Sequence, residues 1–297
     1  MASVEHKIDF IGFITVNRAN PNGDPLNGNQ PRTDYDNYGE ISDVCLKRKI
    51  RNRLQDLGEK ILVQSDDRCD DHCDSIRSRV EASEAIGNIL TSKDKNKEAL
   101  FFDAACRQWI DVRSFGQVFA FKKGTGVDAV SIGVRGPVSI HTAVSLDPIL
   151  TTSMQITKSV NGEPGEKKGS DTMGMKHRVD FGVYKMQGSI NVQLAEKTGF
   201  SLQDAGEIKQ ALVTLFENDA SSARPEGSVE MTRFYWITHP NKTGVMPSSK
   251  VHNSVRTMLK TDLDMPKKFD DYQFDETALS DISGITIEKY QDGQLVK

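Results

Sequence analysis

The feature that most constrains the fold is residues 179 to 194, a long segment in which apolar and polar side chains alternate. The apolar positions are Val179, Phe181 and Val183, then in the other phase Tyr184, Met186, Ile190, Val192 and Leu194. Period-two alternation is typical of a β-strand. A straight strand of this length is unusual, so we expect Gly182 and Gly188 to bend or bulge it.

Other periodic segments set the order of elements around this strand. Residues 4 to 16 and 228 to 238 are predicted to be strands, and residues 130 to 148 predict further β structure that is interrupted at Pro137. A helix is predicted over residues 42 to 57 with Ser42 as its N-cap, and a second begins at Ser201, where Asp204 completes a capping-box pattern. The order strand, helix, strand, strand, helix, strand predicts an α+β fold with a ferredoxin-like core.

Three segments depart from that core. Residues 65 to 100 are polar, contain a predicted helix from Ile76 to Leu90, and are interpreted as an insertion. Residues 151 to 177 predict a projecting β-hairpin with a tip rich in Gly, Pro and Lys, because structureless loops of that length are uncommon. Residues 261 to 297 form an acidic C-terminal segment. The core is then residues 1 to 64, 101 to 150 and 178 to 260.

Composition excludes several classes of protein. Hydrophobic residues make up 37% of the chain and charged residues 27%, which argues against global disorder. The net charge of -4 argues against a uniformly basic nucleic-acid binder, although local segregation of charge still permits a basic groove. The four cysteines do not form a disulfide framework, and no signal or membrane-spanning pattern occurs. We therefore expect a soluble, cytoplasmic protein that is not bound to a membrane.

Two neighbouring segments suggest an anion-binding surface. The loop at residues 20 to 34, NPNGDPLNGNQPRTD, has little apolar content, and its Asn and Gly residues permit backbone amides to form an anion-binding nest. The helix that follows carries five cations in its first turns, namely Lys47, Arg48, Lys49, Arg51 and Arg53. Cations near a helix N-terminus are disfavoured, so a bound polyanion would relieve their repulsion. The alternative is an ordinary solvated face.

Three further candidates have two interpretations each. Residues 69 to 73, CDDHC, lack a second ligand pair at zinc-finger spacing and favour an acidic surface over a metal site. The enzymatic alternative for the chain is a metal-dependent ribonuclease that uses Asp70, Asp71 and His72. Arg113 forms a local pair with Asp111 or contacts phosphate, and Arg224 belongs to a turn or clamps phosphate.

Several phrases, in order along nearly the whole chain, resemble the backbone (Cas-seven family) subunit of the type I-C CRISPR Cascade complex. They are NPNGDPLNGNQPRTD, SDVCLKRKIRNRL, DVRSFG, GPVSIHTAVSLDPI and SSARPEG. The resemblance implies a modified ferredoxin-like, RNA-recognition palm, a helical finger at 65 to 100 and a thumb hairpin at 151 to 177. The palm lacks the RNP1 aromatic signature that stacks bases, which fits a subunit that must accept any spacer sequence.

The same resemblance implies a function. Copies would stack head to tail along the spacer of a guide CRISPR RNA, hold its phosphates, and leave its bases free to pair with target DNA beside other Cascade subunits. No catalytic residue, metal or cofactor is implied. The expected RNA-binding residues are Asn17, Arg18, Asn20, Arg32, Ser42, Lys47, Arg48, Arg51, Arg113 and Arg224, and the expected base-displacing residues are Met173, Met175, Lys176 and His177. Reversal of Lys47 and Arg51 to glutamate is expected to prevent assembly on RNA without unfolding the monomer.

Overall fold

The structure is a computed structural model, and it describes residues 2–92, 94–122, 130–157 and 173–296. Up to residue 122 the elements are β1 (Ile8–Ala19), β2 (Gly23–Asp24), β3 (Gln30–Pro31), β4 (Tyr38–Ile41), α1 (Asp43–Asp56), α2 (Ile76–Ala82), α3 (Glu84–Thr91), α4 (Lys97–Gln108), α5 (Ile110–Phe115) and β5 (Gly116–Phe121). They continue with β6 (Val130–Arg135), β7 (Val138–Ile140), β8 (Ala143–Pro148), β9 (Thr151–Thr157), β10 (Met173–Ile190), α6 (Val192–Thr198) and α7 (Leu202–Val213). The last are β11 (Val229–Thr238), α8 (Ser248–His252), β12 (Arg256–Leu259), β13 (Tyr272–Asp275), α9 (Thr277–Ser280), β14 (Thr286–Gln291) and β15 (Gln294–Leu295).

A large antiparallel sheet organises the fold, as the predicted α+β class requires. Its strand order is β15-β14-β11-β1-β10-β8-β4, and β7 and β9 also pair with β10. The pairing of β1 with β10 runs from Ile8 opposite Ile190 to Ala19 opposite Val179 in one unbroken register. The predicted strand is therefore present, but the pairing with β1 shows no bulge at Gly182 or Gly188. A side chain at Gly188 would collide with the ring of Phe10, which explains the glycine there.

The end of this strand was predicted wrongly. β10 stops at Ile190, and Val192 lies in α6 rather than in the sheet. The side chain of Asn191 accepts a hydrogen bond from the backbone N–H of Leu194 at 2.8 Å, which starts the helix. Val192 and Ala195 then pack into the core from the helix, so the apparent alternation across this boundary combines two different periods.

Helices cover one face of the sheet. The two predicted helices are confirmed as α1 and α7: Ser42 accepts a hydrogen bond from the N–H of Cys45, and Ser201 and Asp204 form a capping box. Leu46, Ile50 and Leu54 of α1 are buried against the sheet. The largest apolar cluster of the protein lies between these helices and the strands.

The C-terminal residues cover the other face. Val251, Val255, Tyr272 and Leu279 pack against a second apolar cluster on the sheet, which includes Ile11. β14 and β15 extend the sheet beyond β11. Both faces are thus covered in the described residues, so neighbouring residues of β10 are buried on opposite faces: Val183 faces the second cluster, whereas Tyr184 and Met186 face the helices.

A buried polar network holds this second layer in place. Asp9 is fully buried and lies 2.8 Å from Nε2 of His239 and 3.2 Å from Nζ of Lys7. Nε2 of His252 donates a hydrogen bond to the carbonyl oxygen of Gly188 at 2.9 Å and lies 3.7 Å from Asp9. Burial lowers the pKa of His252 below its ordinary value of 6.5, and it outweighs the hydrogen bond to Gly188 and the charge of Asp9, which act in the opposite direction.

The depressed pKa of His252 predicts a loss of stability in mild acid. Below about pH 6.5 His252 is protonated more readily in the unfolded chain than in the folded one. The neutral, buried His252 therefore contributes its full stabilisation above about pH 6.5, and this stabilisation declines below that pH by at most about 1.4 kcal/mol per pH unit. We expect His252→Gln to flatten the dependence of the free energy of unfolding on pH between about 6.5 and 5, measured by urea denaturation. His6→Gln, at an exposed site, serves as the control. Equal slopes for the two variants would contradict this role.

The remaining helices form their own apolar cluster. The predicted helix from Ile76 to Leu90 is two helices, α2 and α3, divided at Ser83, whose φ and ψ are extended. Phe101, Trp109 and Phe119 of the following segment pack with them. The helical unit therefore includes α4, α5, β5 and β6 in addition to the predicted insertion.

β9 and the first half of β10 form an antiparallel hairpin that extends from the sheet. Its register runs from Thr157 opposite Met173 to Thr151 opposite Val179. The predicted tip, residues 158 to 172, lies outside the described residues. Within the described part of the chain, no helix combines the length and the apolar character needed to cross a membrane.

Candidate nucleic-acid interface

All five basic side chains of α1 have partners within the chain. The pairs are Lys47 with Asp43 at 3.1 Å, Arg48 with the carbonyl of Val63 at 2.8 Å, Lys49 with Asp219, Arg51 with Asp111 at 3.0 Å, and Arg53 with Thr214 at 2.7 Å and with Glu217. Their mutual repulsion is thus relieved largely by internal carboxylates. A polyanion is not needed to explain the pattern.

Arg51, which was predicted to bind RNA, instead makes several contacts inside the protein. Its Nε donates to Asp111, a side chain only 1% exposed that also accepts hydrogen bonds from the backbone N–H groups of Leu62 and Val63. The guanidinium lies over the ring of Phe115 at 5.1 Å. Arg51 therefore joins α1 to α5, and the expectation that its reversal leaves the monomer folded is replaced by an expectation of instability.

Lys47 and Arg48 are less constrained. Lys47 is partly exposed, and its partner Asp43 is 42% exposed, so the pair is a surface ion pair that contributes little. Arg48 bonds to a carbonyl oxygen, and burial followed by the neighbouring charge of Arg51 lowers its pKa. These two cations can still be directed to an external anion.

Arg113 and Arg224 are both anchored to carboxylates, the first distant in sequence and the second five residues away. Arg113 donates to Oδ1 of Asp204 at 3.0 and 2.7 Å, so the local pair with Asp111 does not form. Arg224 lies 3.1 Å from Asp219, which it shares with the buried Lys49. Both arginines help to join separate segments of the chain.

The loop before α1 is tied to the rest of the protein by hydrogen bonds. Asn20 is 3% exposed; its backbone N–H bonds to Ala223 and its side-chain amide donates to the carbonyl of Asn29 at 2.8 Å. Ser42 bonds to Asn22 through both its N–H and its hydroxyl at 3.0 Å. Asn20 and Ser42 therefore shape the loop rather than face outward.

Arg32 lies at the edge of a small polar cavity of about 190 Å³ beneath this loop. Its guanidinium is 3.4 Å from Asp24, and its Nε is buried without a hydrogen-bond partner among the described residues. Ile149 and Thr151, where the hairpin leaves the sheet, also line this cavity. Arg32 is thus placed close to the base of the hairpin.

The strongest candidate site is an open cleft of about 450 Å³ at the base of the hairpin. We call it the hairpin cleft. Its lining residues are Asn17, Arg18, Pro148, Leu150, Thr152, Arg178, Asp180, Phe181, Met265, Pro266 and Lys267. The end of β1, the base of β9 and β10, and the segment after β12 meet here, and each contributes one cation.

The charge of the hairpin cleft is positive. Arg18, Arg178 and Lys267 oppose one carboxylate, Asp180. The hydroxyl of Thr152 donates to Asp180 at 2.8 Å, and Nε of Arg178 lies 3.5 Å from it without hydrogen-bond geometry. Cations beside an apolar wall suit a strand of phosphates and bases.

The sequence prediction included Asn17 and Arg18 but missed Arg178 and Lys267. The signals that could have identified them are the short basic runs MKHR at 175–178 and MPKK at 265–268. Neither run is distinctive alone. Only the fold brings their ends to the same cleft.

The hairpin itself presents apolar and basic side chains. Met173 and Met175 are 58% and 56% exposed and share one face with His177, whose Nδ1 is 2.7 Å from the hydroxyl of Ser153. Ile156 is 50% exposed and lies on the other face with Lys176. The four predicted base-displacing residues therefore occupy both faces.

The acidic side chains at residues 69 to 73, which were considered as metal ligands, form hydrogen bonds and an ion pair within the protein. Asp70 accepts hydrogen bonds from Gln55 and Gln64, and Asp71 forms an ion pair with Arg79 that holds the pKa of Asp71 well below its usual range. Across the ranges that the structure describes, no cluster of three or more His, Cys, Asp or Glu is placed to hold a metal ion. The structure therefore lends no support to the ribonuclease alternative.

The fold and the cleft together define an α+β protein with a basic cleft beside a projecting hairpin. A family model described as CRISPR-associated protein Cas7 matches residues 6–277. The chain therefore belongs to the CRISPR-associated protein Cas7 family. The family predicted from sequence is confirmed, and the type I-C subtype remains a prediction.

Three individual proteins are similar to the chain. A CRISPR-associated protein Cas7 from Haloferax volcanii is 27% identical over 223 residues, which are 68% of this chain and 62% of the relative. A chain of a CRISPR RNA-guided surveillance complex in a pre-nicking state is 15% identical, with 78% of each chain covered and a TM-score of 0.47. Another such complex gives 16% identity, coverage of 78% of this chain and 68% of the other, and a TM-score of 0.40.

Proposed function

We propose that the chain is a non-catalytic backbone subunit of a CRISPR RNA-guided surveillance complex of the type I-C kind. Copies stack head to tail along the spacer of the guide RNA beside the other subunits of the complex. The observation that carries this proposal is the hairpin cleft, which places three cations beside an apolar wall in a member of the Cas7 family.

The arrangement of the sheet supports binding to the RNA backbone. The order β11-β1-β10-β8 is the fourth-first-third-second order of a split βαβ unit, which supports a modified RNA-recognition palm. The C-terminal layer covers the face that an ordinary RNA-recognition domain uses to stack bases. Cations on phosphates bind any sequence, and the bases stay available for pairing with target DNA.

The residues divide by role under this proposal. Asn17, Arg18, Arg178 and Lys267 bind phosphates in the hairpin cleft, and Arg32, Lys47 and Arg48 extend the path toward α1. Asn20, Ser42, Arg51, Arg113 and Arg224 position these elements through their internal bonds. The hairpin is the thumb and displaces a base with Met173 or Met175, flanked by Lys176 and His177. The helical unit that includes residues 65 to 100 is the finger.

Co-expression with a repeat-spacer transcript tests the proposal. We expect the purified protein to carry guide RNA of whatever spacer is supplied, seen as excess absorbance at 260 nm and identified by sequencing. If each copy neutralises about three phosphates, the log-log slope of affinity against salt is roughly -2 per copy. A scrambled spacer of equal length is the control and should bind equally. Protein free of RNA, or binding to one spacer only, would contradict the proposal.

A further inference from the structure

Two Asn–Gly pairs lie in the segment between β1 and α1, and their surroundings differ. They are Asn22–Gly23 and Asn27–Gly28. Glycine has no Cβ, so its backbone nitrogen can approach the side chain of the preceding residue more closely than the nitrogen of any other residue can. An Asn–Gly pair is therefore the dipeptide in which the backbone most easily attacks an asparagine side chain.

Hydrogen bonds hold the first pair in place. The side-chain oxygen of Asn22 accepts hydrogen bonds from the N–H and the hydroxyl of Ser42, both at 3.0 Å, and its carbonyl oxygen accepts one from the N–H of Arg32 at 3.0 Å. Gly23 lies in β2, opposite Pro31 of β3. The side chain of Asn22 can turn toward the nitrogen of Gly23 only after local opening, which costs free energy.

The second pair has no such restraint. Asn27 ends a single turn of 3₁₀ helix, Pro25–Asn27, in which no residue is buried. Within the described residues, neither the side chain of Asn27 nor the N–H of Gly28 makes a hydrogen bond. Gly28 has a φ of +59°, and a Cβ built there would meet no atom within 4 Å. Asn27 can therefore turn toward the nitrogen of Gly28 without losing a side-chain hydrogen bond.

Asn27 also lines the small polar cavity at whose edge Arg32 lies. Among the described residues that line this cavity, Arg32 is the single cation, and Asp24 and Glu40 are carboxylates. A further carboxylate at residue 27 would attract the guanidinium of Arg32 and repel a phosphate held beside it. The charge of this cavity is thus sensitive to a change at Asn27.

We propose that Asn27 is a site of spontaneous deamidation. The backbone nitrogen of Gly28 loses its proton and attacks Cγ of Asn27. The bond between Cγ and Nδ2 of Asn27 breaks, and the nitrogen leaves as ammonia with the proton that Gly28 lost. Water then opens the cyclic imide at either of its carbonyl groups and leaves aspartate or isoaspartate. The net reaction consumes water and releases ammonia, and it needs no oxidant, metal or cofactor.

The effect of this modification on RNA rests on the proposed function, whereas the modification itself does not. The new carboxylate lies beside Arg32, to which we assign a place on the path of the phosphates. Modified copies are therefore expected to hold guide RNA more weakly, so that aged protein assembles on RNA less well than fresh protein.

The first test needs no RNA. Purified protein is kept at mildly alkaline pH, where the amide nitrogen loses its proton more readily, and samples are digested with trypsin over time. The peptide that spans residues 19–32 contains both pairs, and its fragmentation in a mass spectrometer locates each change. We expect aspartate and isoaspartate to form about tenfold or more faster at Asn27 than at Asn22, because two hydrogen bonds from Ser42 protect Asn22.

Two controls accompany this measurement. A sample taken at time zero corrects for deamidation during digestion. The remaining Asn–Gly pair of the sequence, Asn161–Gly162, lies outside the described residues and is followed in its own peptide. An unmodified Asn27, or equal rates at Asn27 and Asn22, would overturn the proposal.

The second test measures RNA binding by Asn27→Asp, which installs the carboxylate directly. Its control is Asn88→Asp on α3, an exposed position that receives the same charge. By fluorescence anisotropy we expect Asn27→Asp to bind single-stranded RNA about twofold to fivefold more weakly, as one partly exposed charge pair would give. Asn88→Asp should bind like wild type. After ageing, Asn27→Gln should keep more of its affinity than wild type keeps.

Equal affinities of Asn27→Asp and wild type would overturn the effect assigned to the modification. Failure of fresh wild-type protein to bind RNA at all would instead refute the proposed function, and the peptide map alone would then decide on Asn27.

Discussion

Arg51→Glu is expected to lower the free energy of unfolding by about 3–5 kcal/mol, the cost of breaking a buried ion pair. The substitution places a second carboxylate beside Asp111, which is 1% exposed and already accepts two backbone hydrogen bonds. It also removes the cation from the ring of Phe115. The measurement is the midpoint of urea denaturation, monitored by circular dichroism. The dependence of the free energy of unfolding on urea concentration should keep its slope.

Lys47→Glu is the matched control, since it reverses the same charge one turn earlier on α1. Its partner Asp43 is partly exposed, so the expected cost is about 1 kcal/mol or less. If the double variant Lys47→Glu/Arg51→Glu fails to assemble on RNA, this comparison shows whether lost stability or lost RNA binding is the cause. Equal midpoints for the two variants would show that Arg51 does not pin α1 to α5.

Arg18→Glu with Lys267→Glu is expected to weaken binding to single-stranded RNA by about 100-fold or more. Each change removes a charged hydrogen bond worth about 1.5–3 kcal/mol and adds repulsion toward phosphate. The salt dependence should become shallower by about 0.7 for each phosphate that the variant no longer neutralises. Neither side chain makes an ion pair within the described residues, so the free energy of unfolding should change little. Fluorescence anisotropy over a salt series gives both the affinity and its salt dependence.

The control for this pair is Arg107→Glu with Lys95→Glu, which makes the same change in net charge on the helical unit. Arg107 is 82% exposed and lies 4.0 Å from Asp103, at the limit of an ion pair. We expect its RNA affinity to fall much less than that of the cleft variant. An equal loss would mean that the protein responds to net charge and that the hairpin cleft is not the binding site.

The sequence predicted helices and strands correctly where a local residue pattern is typical of only one type of secondary structure. Ser42 and the pair Ser201 and Asp204 start helices through bonds to residues three positions away, so they are visible in a short window. The prediction of one continuous helix from Ile76 to Leu90 was wrong, because the break at Ser83 leaves the spacing of apolar residues almost unchanged. The predicted end of β10 was wrong, because Val192 continues the alternating pattern of the strand although it lies in a helix.

The sequence by itself determined the family, the α+β order of elements, and the concentration of cations on α1. Only the tertiary structure decided which cations are free. The partner of Arg51 is 60 residues away, that of Arg113 is 91 away, and that of Lys49 is 170 away. Whether a charge is neutralised depends on distances of a few ångströms between segments remote in sequence, and local periodicity carries no record of those distances.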